Sequence, residues 1–574
     1  MQKKQTILVV ASLLVVVLSV TLAYFAAQII GKGKDVLVTS ADLKIVFTDT
    51  DGNIEGTGIT PGWSSSKTFT VKNESNGTYK YDIIIKDLVN TFKTYKYLEY
   101  KITSTDGGYN MTDYSYLPKS STKEDVALAY EISIDKGKTH TYTIEIKYVN
   151  DEYVDQSIDM GQSLSGTIYI REFTKPTMKL TDKLMADNPT IGTRTTFTAF
   201  TETNTGTLYK ATEQIGTNPV KDVYYFAGDA KNNWVKFGKT TESSCTYNNS
   251  EVYYADLSSG TMVIRRPHNQ EECLSSNVCT LNELKGVGVT DDICTGNGGT
   301  LTGEKATWNG ATTNDMYWRI IRTNADGSIK LLYAGTSPDS DKAYVGLSEF
   351  NTTSNDPMYV GYKYGTSGSL ENNRTNDNDS TIKTYIDNWY KNNLIDYTKY
   401  LSKDAVYCND RELASGQTYS TTSSFDYAPY ERIYTNKQPT YNCTNMSDAF
   451  SVNNTSAKLD YPIGLMSIDE LSYAGGQAFT TLDAPYAWYY TNANGESSYG
   501  SVAFWALSPV YWFGSRSFVW RVDGSGDPGY LHNFLVAFSF AVRPSVSLSS
   551  CNLISRGDGS ANNPYVVYIG SGSC

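Results

Sequence analysis

The sequence predicts a multidomain, β-rich chain: an N-terminal transmembrane helix, an all-β immunoglobulin-like sandwich, then an α+β domain. Three observations carry this. Ile7 to Ile30 is an almost unbroken apolar stretch, and a bilayer span needs roughly 20 such residues. From Asp35 to about Lys175, short alternating segments are separated by turn residues, the pattern of a sandwich of about seven strands. Beyond them come more strands, two helical patterns and a terminal hairpin. A chain of 574 residues is too long for one compact domain. The predicted parts are a cytoplasmic tail (1–6), a signal anchor (7–30), the sandwich (31–178), a junction (179–219) and a terminal domain (220–574) interrupted by a cystine-rich insertion (245–310).

Lys3 and Lys4 precede the apolar stretch, and Lys32 and Lys34 follow it. A cleaved signal peptide normally has an apolar region of only ~7 to 15 residues ending in a small-x-small site. No clean Ala-x-Ala precedes Gln28, although a cut after Ala23, with Thr21 upstream, is the alternative and would give a secreted protein. The uncleaved anchor is the expectation, with the chain displayed on the extracellular face of the membrane. The net charge of −12 argues against nucleic acid, which calls for a basic face. The 46 tyrosines, with abundant Asn, Thr, Ser and Gly, suit β-rich extracellular proteins.

Strands are expected at Leu37–Phe47, Lys67–Lys72, Tyr79–Lys86, Leu98–Ser104, Val126–Ile134, Thr139–Val149 and Gly166–Phe173. Within Thr139–Val149, Tyr142, Ile144, Ile146 and Tyr148 share one face, because side chains alternate along a strand. Asp49, Asp51 and Asn53 have the spacing of the first ligands of a calcium loop, but lack the later Gly and terminal Glu, so a hairpin turn is expected there and no metal. The Thr-rich stretch with Pro176, Pro189 and Pro219 marks the junction. Val223–Phe226 and Trp234–Phe237 follow as strands, and Tyr317–Arg322 with Ile329–Tyr333 as a hairpin across Asn324-Ala325-Asp326-Gly327.

All 8 cysteines, namely Cys245, Cys273, Cys279, Cys294, Cys408, Cys443, Cys551 and Cys574, lie beyond the apolar stretch. An even number in an exported chain reads as disulfides, with neighbours paired and Cys408–Cys443 and Cys551–Cys574 the firmest. Zinc needs clustered Cys or His, and no Cys-x-x-Cys occurs. Two helices are expected. Ser380–Leu394 sets Ile382, Tyr385, Ile386 and Trp389 at helical spacing behind an N-cap. Ser467-Ile468-Asp469-Glu470 is a capping box, with Met466 and Leu471 as staple and Gly475-Gly476 as stop.

From Trp505 to Val546 the chain places an aromatic run and a hairpin, Phe518–Val522 and Tyr530–Phe540, about the turn Asp523–Gly529. Rigid aromatics beside Gly, Ser and Asn give contact area at low entropic cost. The expected ligand-binding residues are therefore Tyr511, Trp512, Phe513, Ser515, Arg516, Phe518, Arg521, Asp523, Asp527, Tyr530, Leu531, His532, Asn533 and Phe534. Trp505, Trp520 and Arg543 are expected to hold the fold.

Two resemblances add to this. Thr68–Asn73 followed by Tyr79–Ile85, behind an apolar segment, resembles the camelysin and matrix-fibre proteins of Gram-positive bacteria, which implies a surface or fibre-forming role. Cys408-Asn409-Asp410-Arg411, Tyr461–Met466 with its capped helix, Trp505–Pro509, Val519–Val522 and Val542-Arg543-Pro544 resemble C-terminal modules of bacterial surface proteins. Those modules are similar to the C-type-lectin-like fold of the formylglycine-generating-enzyme type. That fold also carries the variable proteins of diversity-generating retroelements, whose ligand contacts lie near the C-terminus. Ala541 and Ser545 stand where Gly and Ala would be expected. Tyr530–Phe540 contains no Lys, Glu, Gln, Met or Trp, as adenine-directed diversification requires; a fixed sequence fits equally.

The enzyme reading ranks last. No reactive cysteine pair matches the oxidase role, Asp523 and Asp527 flank a turn, and nucleophile-elbow, HExxH and P-loop signatures are absent. The expected function is a membrane-anchored binder of an extracellular protein or glycan, without catalytic residues, cofactor or nucleic-acid partner. A structural fibre subunit self-associating through the sandwich is the alternative.

Overall fold

Ten residues show how the first part is built. In Thr139–Tyr148, exposed or half-buried residues alternate with buried ones, and Tyr142, Ile144, Ile146 and Tyr148 are fully buried. The computed structural model describes residues 25–29, 36–39, 44–49, 54–570 and 574, apart from 112–113, 152–153, 199, 201, 204, 248–249, 252, 257–262, 266–269, 275–277, 282–298 and 302–306. It is mostly β-sheet with few helices and divides into two units, Met1–Lys175 and Pro176–Cys574.

The described residues of the first unit form eleven strands: β1 (Phe25–Ile29), β2 (Val36–Thr39), β3 (Lys44–Asp49), β4 (Ile54–Ile59), β5 (Ser64–Asn73), β6 (Tyr79–Asn90), β7 (Leu98–Ser104), β8 (Ser115–Tyr116), β9 (Ser120–Ile134), β10 (Thr139–Tyr148) and β11 (Ser163–Glu172). They form two sheets, ordered β4-β1-β11-β6-β9 and β2-β3-β5-β10-β7-β8. Both sheets contribute to one core, with Ile83, Ile85 and Ile168 from one and Phe69, Val71 and Ile144 from the other. Tyr81 Oη lies in it 2.8 Å from His140 Nδ1 and 2.6 Å from Tyr142 Oη.

Two expectations change here. The single strand expected at Leu37–Phe47 is two, β2 and β3, paired antiparallel with Leu37 opposite Val46. The predicted span 7–30 reaches too far: Phe25–Ile29 pairs with β11 on one side and β4 on the other, so its backbone groups are committed to a sheet. Residues 7–24 lie outside the described residues, as do Asp51 and Asn53 of the hairpin turn. Among the described residues no helix is long and apolar enough to cross a membrane.

In the second unit the predicted junction is structured. Residues 179–219 form α1 (Leu180–Asp187), β12 (Thr190–Thr193) and β13 (Thr207–Glu213), and Leu180, Leu184 and Leu208 enter the core. Threonine suits strands, and Pro189 and Pro219 fall between elements, where a missing N–H costs nothing. β13 pairs with β14 (Lys221–Tyr225). β15 (Trp234–Tyr247) and β16 (Thr307–Thr323) run antiparallel as a long ribbon from Trp234↔Arg319 to Thr246↔Thr307, so the cystine insertion leaves from the ribbon's end. β16 turns into β17 (Ile329–Tyr333) through Gly327, at φ 82°. Cys245–Cys273, Cys408–Cys443 and Cys551–Cys574 are disulfides; Cys294 lies outside the described residues, which leaves its pairing with Cys279 there too.

A second sheet of this unit contains, in spatial order, β18 (Leu347–Glu349), β22 (Ser539–Ala541), β19 (Phe504–Trp512), β20 (Ser517–Val522) and β21 (Leu531–Leu535). Trp505, Trp520 and Arg543 are 0%, 0% and 1% exposed. Arg543 donates to the Tyr489 and Tyr333 carbonyls and lies over the Tyr499 and Phe504 rings.

Both helices form: α2 (Thr381–Asn393), capped by Ser380, and α3 (Ile468–Ala474), with both halves of its capping box present. Glu470 does more than cap. Its oxygens lie 2.8 and 3.0 Å from Lys330 Nζ, and one lies 2.9 Å from Arg322 Nε. Arg322 also pairs with Glu213 at 2.9 Å. Burial alone would raise the Glu470 carboxyl, but Lys330 and Arg322 hold it below its ordinary pKa.

Removing Glu470 would strand the buried Lys330 and leave Arg322 with Glu213 alone, so Glu470→Ala should cost about 3–5 kcal/mol in urea unfolding. A loss below about 1 kcal/mol would mean these charges are hydrated. A second test concerns Glu349, 5% exposed, whose carboxyl burial pushes up to about 7. The folded state then holds a proton that the unfolded state has lost, so stability should fall as pH rises from 4.5 to 7. Glu349→Gln should flatten that slope and be the more stable protein at pH 8, by at most about 3 kcal/mol.

Candidate ligand-binding face

The second sheet positions most of the expected site. β19 and β20 pair Tyr511 with Phe518, and β20 and β21 pair Phe518 with Leu535, Trp520 with Asn533 and Arg521 with His532. Side chains alternate along a strand, so Tyr511, Phe518, Trp520 and Asn533 lie on one side of the sheet and Arg521 with His532 on the other; Tyr511 Oη donates to Asn533 Oδ1 at 2.9 Å. Tyr511 and Phe518 are half-buried with ring centroids 4.8 Å apart.

The β19–β20 turn carries Phe513, Ser515 and Arg516, all exposed, Phe513 by 66%. Gly514 takes φ 64°, and Phe513 N donates to the Arg516 carbonyl, which throws the Phe513 ring outward. The Asp523–Gly529 turn forms as expected, with Tyr530 N donating to the Asp527 carbonyl. Gly524 packs against the 500–502 backbone, where a Cβ would lie 2.5 Å from the Ser501 carbonyl carbon.

Not every expected residue reaches the surface. Trp512 and Leu531 are 1% and 0% exposed and belong to the core, so their assignment to ligand contact is corrected. Along β19 Trp512 alternates with Tyr511 and faces inward. Arg521 also changes role: its Nε is 2.9 Å from Asp523 Oδ1, and its guanidinium lies 4.2 Å and 4.5 Å from the Phe534 and Phe540 centroids. Burial raises the Asp523 carboxyl despite Arg521. Asp523 and Arg521 therefore spend their charge on each other.

Three rings that the sequence did not single out complete the face. Tyr430 stacks on Trp520 at 6.2 Å, stacks on Tyr434 at 5.3 Å and meets Tyr511 edge-on at 5.9 Å. Phe479 touches Tyr434, Trp520, Tyr530 and His532, with centroids 5.1 to 6.4 Å away. Phe479 sits at φ 54°, a left-handed conformation costly for an aromatic residue and held only where its surroundings impose it. Its N donates to the Leu531 carbonyl, at the edge of β21. The spacing of Tyr430 and Tyr434, four apart on one turn, was a legible signal; Phe479 had none.

The result is a continuous belt of half-exposed rings from Phe518 through Tyr511 and Tyr430 to Phe479, and round the edge of β21 to His532 and Phe534 on the sheet's other side, with Tyr434 and Phe513 exposed at its margins. Beneath it Trp512 Nε1, Trp520 Nε1 and His532 Nδ1 are buried without a hydrogen-bond partner among the described residues. Burial, then Arg521, lowers the His532 pKa, so the ring is neutral near pH 7. One acidic trio among the described residues has metal-ligand proximity, Asp379, Asp387 and Asp460. Lys383 Nζ already occupies it, 3.2, 2.5 and 3.0 Å from these carboxylates.

No family model and no curated protein matches this chain. A solved structure described as "AvmM Catalyzes Macrocyclization in Alchivemycin A Biosynthesis" aligns over 26% of this chain and 100% of its own, at 10% identity and a TM-score of 0.14. So low a score carries nothing about fold or activity.

Tyr511→Phe removes the hydrogen bond to Asn533 and should cost about 1 kcal/mol in thermal unfolding. In NMR titration His532 should protonate below pH 6.5; a midpoint above 6.5 would place a carboxylate against the ring instead.

Proposed function

We propose that this protein is a membrane-anchored bacterial surface binder, in which an immunoglobulin-like sandwich carries a C-type-lectin-like head that recognises an extracellular protein or glycan. The observation that carries the reading is the aromatic belt. Large half-exposed apolar patches are uncommon on monomers without a binding role, and Tyr, Trp and Phe dominate contact energies where partners meet. Tyr511, Phe513, Phe518, Tyr530, His532, Asn533 and Phe534 join it from the expected set, with Tyr430, Tyr434 and Phe479 added. The disulfides fit an oxidising, extracytoplasmic setting.

The test is a panel of immobilised glycans and extracellular proteins probed with the wild type and with a Tyr434→Ser, Phe513→Ser double variant. Both rings are exposed, so folding should be unchanged while binding to any recognised target falls about ten-fold or more. Equal binding by the variant would remove the belt from recognition. Sequencing the gene from many cells of one population would decide whether codons between Val510 and Phe540 are diversified.

A second reading, a fibre subunit, rests on β9, a strand of 15 residues at the edge of its sheet. Such an edge presents unpaired N–H and C=O groups to another chain. Sedimentation of the full-length protein should show concentration-dependent assembly if that edge is used, and a single species if it is not.

A further inference from the structure

We propose that the open edge of β21 takes an extended segment of a partner protein as an added strand. The proposal rests on the reading of the aromatic belt as a recognition face and names its partner class, a polypeptide held by its backbone rather than a glycan.

β21 is the last strand of its sheet, and its ladder to β20 shows which way its backbone groups point. Antiparallel partners alternate between pairs that exchange both bonds and pairs that exchange none. Val536 N donates to the Ser517 carbonyl at 3.1 Å and Asp523 N to the Tyr530 carbonyl at 2.9 Å, and the register between them runs unbroken. His532 and Phe534 therefore turn their N–H and C=O toward β20, while Leu531, Asn533 and Leu535 turn theirs outward. The Leu531 carbonyl accepts from Phe479 N at 2.9 Å, and the Leu535 carbonyl from Phe538 N at 3.2 Å. The N–H and C=O of Asn533 and the N–H of Leu535 face outward with no strand beside them among the described residues.

The chain itself begins such an addition and then ends it. Ala478 lies beside Leu531 as a parallel bridge. Phe479, at φ 54°, turns the backbone away, and Leu482 N donates to the Pro528 carbonyl, so this segment leads back toward the Asp523–Gly529 turn. The edge beyond Leu531 stays open. Natural edges are commonly defended by Pro or by charge; Asn533, Phe534 and Leu535 supply neither, and His532 is neutral near pH 7. The belt also rounds this edge. Side chains of an added strand would alternate between the side of Phe518 and Tyr511 and the side of His532 and Phe534. Backbone bonds would then give affinity and the rings specificity. Rings alone would suit a glycan equally; outward backbone groups at strand spacing suit a peptide.

The test is calorimetric titration and hydrogen–deuterium exchange of the full-length protein with a capped peptide of alternating Thr and Val. Its controls are the same peptide N-methylated at alternate residues and a soluble cellulose oligosaccharide. Binding of the unmethylated peptide alone, with slowed exchange across Leu531–Leu535, is expected. Leu535→Pro removes one outward N–H at an edge position, where Pro is tolerated, and should weaken binding about ten-fold or more. Leu535→Thr keeps the N–H and should bind as the wild type does. If Leu535→Pro lowers the melting temperature, the N-methylated peptide makes the same test on the unaltered protein. Absence of peptide binding, equal binding of the N-methylated peptide, binding without slowed exchange at β21, or unchanged affinity in Leu535→Pro would each overturn the proposal. Oligosaccharide binding in place of the peptide would overturn it in favour of a glycan. If the peptide fails while the Tyr434→Ser, Phe513→Ser variant still loses a target from the panel, the edge is excluded and the belt stands. Equal peptide binding by that variant, with slowed exchange at β21, would uphold the edge and exclude those two rings.

Discussion

The second unit depends on one buried carboxylate. Glu470 closes the capping box of α3 from the side chain of its third residue, and the same carboxylate holds Lys330 of β17 and Arg322 of β16. Arg322 reaches on to Glu213 at the end of β13. One helix start is thereby fixed against three strands by charges that are 1–4% exposed. Burying such charges is expensive, and their attraction offsets the cost only when geometry and hydrogen bonds are complete. The arrangement thus specifies a position more than it adds stability: any displacement of α3 would leave a cation unpaired.

That fixed position has consequences on both sides. On one side, α3 ends at Gly475, and the chain continues at once to Phe479, which the edge of β21 holds in its left-handed conformation among the rings of the belt. On the other side, Arg322 ties the end of β16 to Glu213 at the end of β13. The candidate face is therefore built on rigid strands and on the loops that the network anchors. Ligand groups placed on such scaffolds are pre-organised, which lowers the entropic cost of binding.

What was legible in the sequence had local causes. Alternation fixed the inward face of β10, Ser380 and Ser467 fixed two helix starts, and Asp523–Gly529 fixed a turn, because each depends on residues within a few positions. Pairing of neighbouring cysteines was legible for a similar reason: short separations make closure easy. The structure of the junction was not legible, because its prolines stand between elements and its threonines make strands, a composition that a connecting segment shares. The helix boundary at Ile30 failed because Phe25–Ile29 is apolar enough for a span or a strand, and its pairing partners are remote in sequence.

The sequence by itself determined a chain of β-rich units with an aromatic C-terminal stretch, since composition and period act residue by residue. Only the tertiary structure decided which aromatics face outward. Trp512 and Tyr511 are neighbours of the same chemistry, and the alternation of β19 buries one and half-exposes the other. Tyr430 and Phe479 enter the face from segments 81 and 32 residues before Tyr511, brought there by sheet edges and ring stacking. Such groupings are set by packing between distant parts of the chain, which no local pattern encodes.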